Sequence, residues 1–76
     1  MKVYPYRCGE YCSILEAVDR RDAADWLRSC VGEAVFCEID VEQRDLYGMY
    51  GAGLKERVQD FLRTHENFTT DREDHE

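Results

Sequence analysis

Hydrophobic and polar residues alternate along two segments near the N-terminus. Residues 2–8, KVYPYRC, and 11–18, YCSILEAV, are rich in β-branched and aromatic residues and are separated by Gly-Glu, a signal for a type II′ hairpin turn. A two-residue turn predicts three cross-strand pairs: Cys8 with Tyr11, Tyr6 with Ser13, and Tyr4 with Leu15. A three-residue loop would shift the register and move some side chains to the other face.

A third alternating segment, residues 34–42, predicts another strand. One side of it is apolar, with Val35, Cys37, Ile39 and Val41. The other side begins with Phe36 and continues with carboxylates: Glu38, Asp40 and Glu42. Such alternation is typical of a strand with one buried face.

Two amphipathic helices are predicted from a period of three to four residues. The first begins after Asp19, a suitable N-cap, ends before Gly32, and carries an apolar stripe of Ala23, Trp26, Leu27 and Cys30. The second covers residues 54–66, with inward positions Leu54, Val58, Phe61 and Leu62. Residues 43–53 between strand and helix are predicted to be a glycine-rich loop.

These elements predict an α+β fold in the order ββαβα. The simplest arrangement is a three-stranded antiparallel sheet in the order 2-1-3, with both helices on one face and the other face open to solvent. Residues 1–68 form the single predicted domain, and residues 69–76 form a polar acidic tail.

The charge and size of the chain limit the classes of partner that it is expected to bind. The 76 residues include 17 acidic and 10 basic side chains, a formal net charge of −7. This balance disfavours direct binding to nucleic acid or to anionic membranes and favours a basic protein surface. The alternative is that acidity serves only solubility. The N-terminus has no signal-peptide pattern, so a cytoplasmic location is expected. A monomer is expected in preference to an oligomer.

Four cysteines occur with the spacing C-x3-C-x17-C-x6-C. This is looser than the paired C-x2-C knuckles of structural zinc sites, so no metal and no cofactor are predicted. Reduced thiols packed in the core are the preferred interpretation, because thiols are kept reduced in the cytoplasm. A Cys8–Cys12 or Cys30–Cys37 disulfide and a zinc site stay open as alternatives.

Catalytic patterns are absent from the sequence. Neither His65 nor His75 has a nucleophile suggested by its neighbours, and the segment GMYGAG lacks the spacing of a phosphate-binding loop. Paired carboxylates on an open face would both stay solvated, which does not separate their pKa values for acid–base work. The sequence therefore predicts a protein that is not an enzyme and has no catalytic residues.

The acidic row is the candidate binding site. Carboxylates two apart on a strand are about 6.6 Å apart, so their repulsion in water costs less than about 1 kcal/mol. The row becomes favourable against a partner lined with lysine and arginine. The residues predicted to contact such a partner are Glu16, Glu38, Asp40, Glu42, Asp45 and Phe36, with Asp22, Asp25 and Glu33 at the margin.

The segment GEAVFCEIDVEQRD, together with the small size and acidity of the chain, resembles the phage-encoded anti-CRISPR proteins that inhibit type I (Cascade) systems. Members of this class share little sequence, so the resemblance assigns no residue roles. It implies an inhibitor in the host bacterial cytoplasm that binds the Cascade subunit which reads the PAM. Such an inhibitor blocks target DNA by occupying a basic surface, without chemistry.

Two other functions are compatible with the same residues. A small adaptor or regulatory domain would bind a protein partner through Trp26, Phe36 and the tyrosines, without mimicking DNA. A zinc- or redox-dependent small protein would instead use the four cysteines.

Overall fold

The computed structural model of the protein describes residues 2–40 and 46–70, without the side chains of residues 46 and 47. Its elements are β1 (Lys2–Cys8), β2 (Tyr11–Ala17), α1 (Arg20–Cys30), β3 (Val35–Phe36), α2 (Leu46–Met49), α3 (Leu54–Thr64) and β4 (Phe68–Thr69). The fold is α+β, as predicted, with an antiparallel sheet and two helices of 11 residues.

The N-terminal hairpin has the predicted register. Cys8 pairs with Tyr11 across a two-residue turn, and the six further pairs follow without a bulge. Gly9 has a φ of 64°, whereas Glu10 has no positive φ, as a type II′ turn requires. The three-residue loop is therefore excluded.

The sheet has four strands in the order β2-β1-β3-β4, not three in the order 2-1-3. The additional strand, Phe68–Thr69, pairs with Val35–Phe36. Thr70 follows it and is buried, and its hydroxyl accepts a hydrogen bond from the Ala34 N–H at 3.0 Å. The sheet thus includes Thr69, which the sequence assigned to the polar tail, and the ordered packing extends to Thr70.

The predicted strand 34–42 is shorter in the structure. Regular pairing with β1 covers Val35–Phe36, and a single bridge joins Ile39 to Val3 further along. Between them the Cys37 N–H donates to the Pro5 carbonyl at 3.1 Å, but Pro5 has no N–H to return a bond. Proline within the central strand β1 therefore explains why the ladder is interrupted.

The two long helices lie on opposite faces of the sheet, so the prediction of one shared face is wrong. Residues of α3 pack with Val3, Ile14, Cys37 and Ile39 on one face. Residues of α1 pack with Tyr4, Tyr6, Ala17 and Phe36 on the other. The cause is visible in β1, where four consecutive residues, Val3 to Tyr6, are all buried. A strand that is apolar on both sides requires a cover on both sides.

Helix α1 begins as predicted but turns a different stripe inward. The Asp19 carboxylate accepts a hydrogen bond from the Asp22 N–H at 2.8 Å, which caps the first turn. Ala23, Ala24 and Leu27 are the buried residues of the helix. Trp26 and Cys30, which the sequence placed in the stripe, are exposed.

Helix α3 confirms its predicted apolar face. Val58, Phe61 and Leu62 are buried, and Leu54 packs against the same cluster. Within the predicted loop 43–53 the structure places the short helix α2, whose Met49 joins this core.

Candidate protein-binding site

In the part of the chain that the structure describes, the sheet has no open acidic face. Phe36, expected beside the carboxylates on a solvent-facing surface, is fully buried under α1. Glu16 is the cross-strand neighbour of Val3, whose side chain lies under α3. Glu38 instead contacts Tyr4 on the α1 face. Glu16 and Glu38 therefore lie on opposite faces, and Val3 and Ile14 do not share a face with Phe36.

Carboxylates nevertheless converge at one end of the sheet, where β1 begins and β2 ends. Val3 is paired with Glu16 on one side and bridged to Ile39, which precedes Asp40, on the other. The N-terminal turn of α1 follows β2 directly and adds two further carboxylates. We call this group the acidic end: Glu16, Asp19, Asp22, Glu38 and Asp40.

Glu38 is the best-anchored member of the acidic end. Its Oε2 accepts a hydrogen bond from the Tyr4 hydroxyl at 2.8 Å and lies 3.2 Å from Lys2 Nζ. Burial raises the pKa of Tyr4 well above its usual range, and the Glu38 and Asp19 carboxylates raise it further. The neutral Tyr4 hydroxyl thus holds a carboxylate at the protein surface.

The N-terminus of α1 orients the other two carboxylates on this face. Asp19 caps the helix, and Asp22 Oδ2 accepts a hydrogen bond from the Val18 N–H at 3.3 Å. The positive end of the helix dipole favours negative charge here. Local structure therefore accounts for the positions of both side chains, and both are exposed to solvent. Asp19 was missed as a site residue because its N-cap role had already explained it.

Two other predicted acidic residues, Asp25 and Glu33, lie away from this group. Asp25 forms an ion pair with Arg28 at 2.6 Å on the exposed side of α1. Glu33 lines a shallow groove with Arg7 and Val35, at the hairpin-turn end of the sheet. Glu42 and Asp45 lie outside the described residues.

A second feature is an aromatic flank beside β2, formed by Tyr11 and Trp26. The Trp26 side chain is 44% exposed and that of Tyr11 is 59% exposed. Arg28 lies on the flank of α1 toward β4, where its guanidinium donates a hydrogen bond to the Thr70 carbonyl. Residues two apart on a helix project in nearly opposite directions, so Trp26 lies on the flank toward β2.

The cysteines are distributed over both sides of the sheet. Cys8 packs on the α1 side and Cys12 on the α3 side, so their Cβ vectors diverge across the hairpin and no bridge can form between them. Cys37 is buried under α3, whereas Cys30 is exposed on α1 across the sheet. In residues 2–40 and 46–70, no three side chains of the metal-ligating types come together.

Thiol reactivity should separate Cys30 from Cys37. Burial raises the pKa of Cys37 to about 11, so its reactive thiolate is roughly a hundredfold scarcer near pH 8 than that of an ordinary cysteine. We expect Cys30 to react rapidly with Ellman's reagent and Cys37 to react only after denaturation. Cys30→Ser should remove the fast phase. A fast phase that persists in this variant and is lost in Cys37→Ala would contradict the placement.

The described surface includes shallow concavities. Two open grooves meet at Arg7 and Val35, one beside Gly9 and Thr69 and the other along α3 at Gln59 and Arg63. Neither groove contains a histidine or cysteine. Both grooves are open, so neither is suited to enclosing a small substrate.

Comparison of the chain with protein-family models, with curated proteins and with solved structures gives no match. Among the described residues, no helix combines the length and the apolar character needed to cross a membrane.

Proposed function

We propose that the protein is a noncatalytic inhibitor that binds a basic, nucleic-acid-binding surface of another protein through its acidic end. The PAM-reading surface of a type I CRISPR effector is the partner that we propose to test first. The protein would occupy that surface in place of DNA, with no metal, cofactor or covalent step. A cytoplasmic monomer would suffice for this role.

The observation that supports this proposal most strongly is the convergence of carboxylates from separate parts of the chain. Asp19 and Asp22 come from the start of α1, Glu16 from β2, and Glu38 and Asp40 from the segment after β3. Within residues 2–40 and 46–70, Lys2 forms an ion pair with Glu38 of this group. The acidic end thus presents more negative than positive charge, in keeping with the net charge of −7.

The electrostatics favour binding at little cost to the free protein. Asp19, Asp22 and Glu38 are anchored by main-chain or tyrosine donors, and every member of the acidic end except Glu38 is exposed. Exposed charges are screened beyond about 8 Å at physiological ionic strength, so their mutual repulsion is small. Against a desolvated cluster of arginine and lysine the same charges become attractive and increase the association rate.

A charge-neutralised variant tests the proposal. Glu16→Gln, Asp22→Asn and Glu38→Gln together remove three charges but keep an acceptor oxygen for Val18 and Tyr4. Reversal of Glu38 to lysine is a poorer test, because it would place a cation beside Lys2 and remove the acceptor of a buried hydroxyl. At roughly 1 kcal/mol for each lost charge pair, affinity for the effector should fall about a hundredfold in calorimetric titration.

The matched control is a variant with Glu10→Gln, Glu56→Gln and Glu66→Gln. It carries the same net charge but leaves the acidic end intact, so its affinity should change only a few-fold. Wild-type binding should weaken as salt rises, and duplex DNA that carries the PAM should compete for the effector. Equal loss of affinity in both triple variants, or binding that is indifferent to salt, would refute a role for the acidic end.

The exposure of Trp26 favours one second candidate, a protein-interaction domain without DNA mimicry. Exposed tryptophan and tyrosine are enriched in protein interfaces. Phe36, the other residue considered for this role, is buried and cannot contact a partner. If the wild type binds no CRISPR effector but retains a partner that Trp26→Ala weakens, the interaction-domain function replaces the inhibitor.

A further inference from the structure

Strand β2 is a long, unpaired edge of the sheet. Val3 exchanges two hydrogen bonds with Ile39, and the Pro5 carbonyl accepts one from Cys37, so these β1 residues direct their main-chain groups toward β3. Their partners in β2 are Glu16 and Ile14. These are the non-hydrogen-bonded pairs of the β1–β2 ladder. In an antiparallel ladder, the two residues of such a pair direct their N–H and carbonyl groups away from each other. Glu16, Ile14 and, two residues on, Cys12 therefore direct their N–H and carbonyl groups outward.

These outward groups are available to a partner. No hydrogen bond from another described residue reaches the main chain of Cys12, Ile14 or Glu16 on that side. The next outward donor, the Val18 N–H, is already bonded to Asp22 and marks the end of the open stretch. Proteins usually block a long edge with proline, a bulge or lysine, and β2 has none of these along its seven residues.

The two sides of this edge differ in chemistry. On the α1 side, β2 carries the exposed Tyr11 and the half-buried Leu15, and the exposed Trp26 lies on the neighbouring flank of α1. On the α3 side, Ile14 packs against the core, and Glu16 is exposed where the strand runs into the acidic end. An added strand would therefore meet apolar and aromatic groups along most of β2 and carboxylates at the end beside Glu16.

We propose that β2 accepts an extended segment of the partner as a fifth strand, with apolar side chains beside Tyr11 and Trp26 and basic side chains at the end beside Glu16 and the acidic end. This rests on the proposed function, since it supposes a basic partner. It adds the mode of recognition: main-chain hydrogen bonds give affinity, and the apolar length of β2 with carboxylates at one end selects an apolar segment that is basic at one end. A second copy of this chain fits less well, because each copy carries a net charge of −7.

The probe is a capped seven-residue peptide that alternates threonine and valine over five positions and ends in two lysines, added to ¹⁵N-labelled protein. Amide hydrogen exchange should slow at least tenfold at Cys12, Ile14 and Glu16. Exchange should change little at Ser13 and Leu15, whose N–H groups already bond to β1. This alternation is specific for strand addition, since adsorption to the surface would not distinguish odd from even residues.

Two matched controls accompany the probe. The same peptide with its central valine replaced by proline should lose the alternating protection, because proline cannot complete the ladder. Trp26→Ala should weaken peptide binding several-fold, whereas Tyr50→Ala, which removes an equally exposed ring elsewhere, should not.

The outcomes separate this inference from the proposed function. If the peptide binds in a salt-dependent way without alternating protection, the fifth strand is refuted and the acidic end stands. If the protection appears but is unchanged by Glu16→Gln with Asp22→Asn and Glu38→Gln, the strand site stands and the acidic end fails. Protection of the three amides without peptide, rising with protein concentration, would assign the edge to a second copy and overturn the inference.

Discussion

Phe36→Ala is expected to destabilise the protein by about 3–5 kcal/mol, the range for a large aromatic side chain removed from a core. Phe36 is fully buried, in the central part of the sheet, beneath α1. Its ring lies 6.0 Å from that of Tyr4 and 5.6 Å from that of Phe68, between centroids. The alanine variant would therefore lose both the buried area and two aromatic contacts.

Urea denaturation followed by circular dichroism measures this loss. A domain of this size has little stability in reserve, so Phe36→Leu is measured beside the alanine variant, because the smaller loss of volume leaves a measurable unfolding transition. Phe68→Ala is the control, because Phe68 is only half-buried and stacks with Arg20 at 4.4 Å. If the unfolding curves of Phe36→Ala and wild type coincide, Phe36 is not part of the core. It would then lie at the surface, as the sequence had suggested for a contact residue.

Leu27→Ala should cost about 2–5 kcal/mol, while Trp26→Ala should cost well under half as much. The two residues are neighbours on α1, so their positions along the helix are closely matched. Leu27 is fully buried against the sheet, whereas Trp26 is 44% exposed on the flank toward β2. The larger side chain should therefore contribute less to stability than the smaller one.

Thermal melts of the two variants at one protein concentration compare them directly. A lower melting temperature for Trp26→Ala than for Leu27→Ala would show that the inward face of α1 has been assigned to the wrong residues. If Trp26→Ala melts like the wild type but binds its partner less well, Trp26 acts at the surface and not in the core.

The positions of both helices show the limit of reasoning from amphipathic stripes. Ala23, Trp26, Leu27 and Cys30 fit the spacing of an apolar stripe, yet the buried face is Ala23, Ala24 and Leu27. Alanine contributes little to a hydrophobic pattern, but two small residues let a helix approach a sheet that already carries Tyr4 and Phe36. The ring of Trp26 was then left outside, where it became part of a candidate interface.

The candidate site was predictable only in part. Glu38 and Asp40 were identified from their positions on the acidic side of a strand, and Asp22 from its place at the margin. Their grouping with Asp19 and with Glu16 from the other face follows from the meeting of β1, β2 and the start of α1 at one end of the sheet. The open edge of β2 could not be recognised until the order of the strands was known.

The sequence by itself determined what depends on near neighbours along the chain. The Gly-Glu turn set the hairpin register, Asp19 capped α1, and the 3.6-residue period set the buried face of α3, because each is decided within a few residues. Only the tertiary structure decided which face each helix covers, that residues 68–69 add a fourth strand, and which carboxylates meet. Those outcomes depend on burying both apolar sides of β1 at once, a constraint between segments that are distant in the chain.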